Sequence, residues 1–131
     1  MTLQEAVSSV TQAANQDEAI RRAYEILTER YHGNRLKTYA LFWRLFERDI
    51  RVLWNRTGFL HCTKLNTLLR YLLIESRQVK PEDISFAWTL TWFISPHQYV
   101  RVRKNDGSTL CLDVWAATYG TPFGGYARGF R

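Results

Sequence analysis

Three residues in the chain have the types that make a working thiol: Cys62, His97 and Asp113. A cysteine attacks as its thiolate, an imidazole takes the proton and later returns it, and a carboxylate holds the imidazole in one tautomer and orientation. Such chemistry needs the sulfur where negative charge is favoured. The first turn of a helix is such a place, because its unpaired N–H groups and the helix dipole favour an anion. The backbone N–H of Cys62 would then stand ready to donate to a developing oxyanion. A second donor is expected from the segment before the helix, where Trp54 and Asn55 are the candidates.

The elements that must position these residues are legible in the periodicity. Asn55-Arg56-Thr57-Gly58 reads as a turn. Cys62, Leu65, Leu68, Leu69, Leu72 and Leu73 then recur at helical spacing. This predicts a helix opening at Cys62, with Thr63, Lys64, Asn66, Thr67 and Arg70 off its buried stripe. Three earlier helices are predicted. The first spans Leu3 to Ala14, with Thr2 as N-cap and Glu5 at the capping-box position. The second runs from Asp17 to about His32 and is stopped by Gly33-Asn34. The third runs from about Thr38 to Trp54.

After Pro81-Glu82-Asp83 the apolar period drops to two. Ile84, Phe86, Trp88, Leu90, Trp92 and Ile94 predict a long strand with one apolar face. Ser95-Pro96 reads as its interruption. A second strand is expected from His97 to Lys104 and a third from Ser108 to about Ala116, joined at Asn105-Asp106-Gly107. The chain thus reads as one α+β domain over residues 1–131, helical over about 1–76, with a sheet over about 84–117 and a tail at 118–131.

The hairpin loop decides whether His97 and Asp113 share a face. A two-residue loop would place Val100 opposite Asp113 and send His97 and Asp113 to opposite sides. A three-residue loop with Gly107 in the left-handed position pairs Val102 with Leu110 and Val100 with Leu112. An apolar face pins register, because a slip of one residue inverts every side chain. The second register is therefore the expected one. It sets His97 opposite Trp115 and Tyr99 opposite Asp113, and makes His97 and Asp113 diagonal neighbours within side-chain reach. Tyr99 and Trp115 are expected to line the substrate cleft.

A cysteine opening a helix, a histidine opening a strand about 35 residues on, and an aspartate on the next strand resemble the transglutaminase-like superfamily. The stretches that carry the resemblance are Gly58-Phe59-Leu60-His61-Cys62 with Leu68-Leu69-Arg70, His97-Gln98-Tyr99-Val100-Arg101-Val102, Asp106-Gly107 and Leu112-Asp113. They fall between about Trp54 and Trp115. The resemblance implies a papain-like core, a helix packed on an antiparallel sheet. It also implies acyl transfer through a thioester on an amide or peptide bond, a protein or peptide substrate, and no metal or organic cofactor. The same superfamily contains inactive relatives, so a binding module that keeps the fold without turnover is the alternative.

Composition bounds the rest. With 46 % hydrophobic and 15 % aromatic residues in 131, the chain can build a core without staples. The two cysteines form no disulfide framework. No apolar run reaches the roughly 18–20 residues that span a bilayer, so no membrane partner is expected. Met1 to Glu5 has no secretory pattern, and a cytoplasmic protein with reduced thiols is expected. The net charge of +6 is spread from Arg21 to Arg131 without a block or a nucleic-acid motif. It reads as a solvated basic surface, with polyanion binding as a weaker alternative. Cys111 is either structural or a partner for Cys62 in oxidation. His61 points away from Cys62 on a helix and is the poorer base. The Gly/aromatic tail from Tyr119 to Tyr126 reads equally as a cleft cover or a frayed end.

Overall fold

The computed structural model describes residues 1–91 and 95–128. Among them, five of six α-helices open on a side chain that caps them. Helix α1 (Leu3–Thr11) starts from Thr2, with Glu5 completing a capping box. Asn15 caps α2 (Gln16–Arg30), Asn34 caps α3 (Arg35–Ala40) and Asp49 caps α4 (Ile50–Asn55). Asp113 caps α6 (Val114–Ala117). The exception is α5 (Cys62–Glu75), whose N-cap His61 gives no side-chain bond.

The expected helix from Thr38 to Trp54 is three pieces: α3, a 3-10 turn at Phe42–Phe46, and α4. The reason is burial. Nothing in α3 or the 3-10 turn is buried, while Leu53 and Trp54 of α4 are. Apolar residues that no neighbour covers do not hold a continuous helix, and Asp49 starts a fresh one.

The core lies between α1, α2 and α5 on one side and the sheet on the other. Leu65, Leu68, Leu69, Leu72 and Leu73 of α5 are all fully buried. Each contributes roughly 1.5–3 kcal/mol of apolar burial, so the stripe read from the sequence is the main anchor of the Cys62 helix. Asn66 departs from that reading. It is buried, and its side-chain NH2 donates to the Gln98 carbonyl at 3.0 Å and to Gln98 Oε1 at 3.1 Å.

Strands β1 (Tyr31–His32) and β2 (Gly58–Phe59) form a short parallel pair, Tyr31 with Gly58 and His32 with Phe59. The antiparallel sheet has the order β3 (Ile84–Thr91), β4 (Ser95–Arg103), β5 (Thr109–Leu112). Val100 pairs with Leu112 and Val102 with Leu110, the register expected of a three-residue loop. Gly107 has φ +87°, a conformation that glycine adopts without steric cost.

Three strand expectations need correction. Ser95-Pro96 does not interrupt the sheet; Pro96 lies inside β4, paired with Leu90. The third strand ends at Leu112 and the chain turns into α6, because the Asp113 carboxylate captures the Ala116 N–H and starts a helix. On β3, Phe86, Trp88 and Leu90 remain exposed, because α5 packs over β4 and leaves the edge strand uncovered. Trp92 and Ile94 lie outside the described residues.

Candidate active site

Cys62 is the first residue of α5 and is half-buried. Two anchors fix that helix end. The β1–β2 pairing sets the strand entering it beside the strand that leads to Gly33. One turn along, Asn66 ties α5 to β4 next to His97. The first residues of α5 therefore face the start of β4.

His97 is 3 % exposed. Its Nε2–H donates to Asp113 Oδ2 at 2.6 Å, which leaves Nδ1 as the nitrogen that can exchange a proton with the sulfur. Burial alone pulls the imidazole pKa down. The hydrogen bond to Asp113 and its charge, with a smaller contribution from the neighbouring Cys62 sulfur, outweigh it and hold His97 up at about 9. The imidazole thus carries its proton at neutral pH, with Cys62 lining the same pocket.

Asp113 is 1 % exposed and fully engaged. Besides His97, it accepts the Ala116 N–H on Oδ1 at 3.0 Å and the Ala127 N–H on Oδ2 at 2.9 Å. A buried carboxylate with three donors is held in one orientation. The Ala127 donor comes from the tail, which is neither a cleft cover nor a frayed end over its described part. Tyr126 stacks on Tyr99 with centroids 4.1 Å apart, Phe123 meets Tyr24 edge-on, and Gly124 bridges to Cys111.

Cys62, His97 and Trp115 share a pocket of about 190 Å³, which Arg35, Thr38 and Tyr39 of α3 also line. Trp115 lies against His97 with ring centroids 5.0 Å apart. The indole is seated by Gly33, where any Cβ would fall 2.5 Å from the ring. Its Nε1 is buried without a hydrogen-bond partner among the described residues.

The other expected site residues fall elsewhere. Trp54 and Asn55 line a separate groove of about 690 Å³ with Met1 and Tyr71, away from the Cys62 pocket. The Trp54 indole N–H donates to the Met1 carbonyl, and its own carbonyl takes bonds from Tyr31 and Arg30. Tyr99 is buried under Tyr126 and accepts from Arg101, so it does not line the pocket. Cys111 sits on β5 opposite Arg101, also outside the pocket. His61 turns from the thiol toward α3 and donates its Nε2–H to the Thr38 carbonyl at 2.9 Å. Burial lowers its pKa.

Asn66 and the Ala127 N–H were missing from the sequence reading. Asn66 offers a weak signal, an amide four residues after a candidate nucleophile. A backbone N–H from a distant tail offers none. No protein-family model, curated protein or solved structure matches the chain.

Proposed function

We propose that the protein is a thiol-dependent acyl-transfer enzyme of the transglutaminase-like kind, acting on an amide or peptide bond. The observation that carries this reading is the buried His97–Asp113 pair, with Cys62 at a helix start lining the same pocket as His97.

The steps follow from the protonation of His97. A protonated imidazole beside a sulfur at a helix start is the setting in which a thiol ionises. The sulfur attacks the carbonyl carbon, and a tetrahedral oxyanion forms. The backbone N–H of Cys62 is the candidate donor for it, on a helix end whose N-cap residue makes no side-chain cap bond. As the C–N bond breaks, His97 passes its proton to the leaving amine, and a thioester remains on Cys62. Neutral His97 then takes a proton from the incoming water or amine, and the thioester is resolved. Asp113 keeps Nε2 protonated throughout and steadies the imidazolium. The pocket of about 190 Å³ accommodates one side chain of the acyl group.

The test is the pH dependence of iodoacetamide labelling at Cys62 in the wild type and His97→Ala, on a Cys111→Ser background. Rapid labelling that persists well below pH 8 and depends on His97 is expected. Slow labelling with an ordinary thiol profile, unchanged by His97→Ala, would overturn the reading and favour a binding module.

A further inference from the structure

Between Leu36 and Phe46 the chain presents large apolar side chains to water. Leu36, Tyr39, Phe42, Trp43 and Phe46 are each 56–83 % exposed, and Leu45 joins them at 39 %. No residue of α3 or of the 3-10 turn is buried. Exposed apolar residues are ordinary when scattered, but a run of six marks a surface that meets something else.

The charges around this run choose among occupants. Lys37 and Arg48 are exposed and Arg44 is half-exposed, against Glu47 as the acidic residue of the segment. A second copy of the chain would bring these cations against their own kind, which is costly in an interface. Exposed Trp, Phe and Leu interleaved with Lys and Arg match an anionic bilayer surface, where the rings enter the headgroup layer and the cations meet lipid phosphates and carboxylates. No helix among the described residues is long and apolar enough to cross a membrane, and a segment lying on the surface needs no such length.

We propose that residues 36–48 dock the protein on an anionic phospholipid surface, with Phe42, Trp43 and Phe46 in the headgroup layer and Lys37, Arg44 and Arg48 against the anionic headgroups. Tyr39 belongs both to this patch and to the Cys62 pocket, so docking sets that pocket beside the lipid surface. The proposal does not depend on acyl transfer.

The experiment is co-sedimentation of the full chain with vesicles of phosphatidylcholine plus phosphatidylserine, and with phosphatidylcholine alone. Binding to the mixed vesicles, weakened by salt, is expected. The double variant Trp43→Ser/Phe46→Ser, checked for native circular dichroism, should bind weaker by about tenfold or more. Lys37→Glu/Arg48→Glu should lose the preference for phosphatidylserine. Absence of sedimentation with mixed vesicles, or equal binding to both kinds, would overturn the proposal. So would a solution dimer that the Trp43→Ser/Phe46→Ser variant dissociates while vesicles stay unbound. Binding of poly-L-glutamate in place of vesicles, abolished by the same variant, would assign the patch to an acidic protein and overturn it too.

Discussion

Gly33 and Trp115 touch so closely that a Cβ on Gly33 would lie 2.5 Å from the indole ring. That indole rests on the His97 imidazole. The smallest side chain at residue 33 must therefore displace Trp115, and with it the surface that orients His97. Gly33→Ala is expected to cost roughly 1–3 kcal/mol of stability, as an overpacked core does. It should also slow iodoacetamide labelling of Cys62 at pH 7. Wild-type labelling in a destabilised Gly33→Ala protein would mean that the indole does not position the imidazole.

Asn66 joins the nucleophile's helix to the base's strand. Asn66→Ala leaves the buried carbonyl of Gln98 without this donor, an expected loss of about 1–3 kcal/mol. Cys62 labelling should become less dependent on His97, because the helix start is no longer held to β4. Leu69→Ala is the control. It should cost more, roughly 2–5 kcal/mol, yet keep the pH profile of labelling when measured well below its melting temperature. The same altered profile in both variants would reduce Asn66 to a packing residue.

The raised pKa of His97 predicts a pH dependence with a definite sign. An ordinary histidine titrates near pH 6.5, and this one at about 9. A proton bound more tightly in the folded chain stabilises it fully below about pH 6.5, where both states are protonated. That contribution is lost as pH rises through about 9. The melting temperature should fall across this interval, and His97→Gln should flatten the fall. Amide cleavage should lose its rate on an alkaline limb near the same value, since neutral His97 has no proton for the leaving amine. An NMR titration of His97 with a midpoint near 6.5 would remove the basis of both.

Asp113→Asn separates the carboxylate's charge from its shape. An asparagine still caps α6, so the helix should remain. His97 loses the negative charge that raises its pKa, and the alkaline limb should move to lower pH. Acyl transfer should fall by about 10⁴ or less, the order of loss when the carboxylate that orients a catalytic histidine becomes an amide. A full rate with an unmoved limb would show that Asp113 serves the fold alone.

What the sequence revealed of this arrangement was what burial controls. The α5 stripe was legible because Leu65, Leu68, Leu69, Leu72 and Leu73 all face one core. The hairpin register was legible because Val100, Val102, Leu110 and Leu112 must share a face. The register brought His97 and Asp113 together, while Cys62 was joined to them by its place at a helix start and by the family resemblance. The continuous helix through Phe42 and Trp43 failed because apolar type was taken to mean burial, and these residues are exposed. The third strand failed because Asp113, between Leu112 and Val114, was read by its apolar neighbours and not as a helix cap. Trp54 and Asn55 failed as oxyanion donors because closeness in sequence to Cys62 does not place them in its pocket.

The hydrogen bond from Ala127 to Asp113 gives the site an order in time. A ribosome makes the thiol at residue 62 first, the imidazole at 97 next and the carboxylate at 113 after that. The backbone group that helps lock the carboxylate comes 14 residues later still. While the chain is being made, the cysteine exists long before its complete surroundings do. A stalled or clipped product lacking residue 127 would carry all three reactive side chains and still lack the finished site.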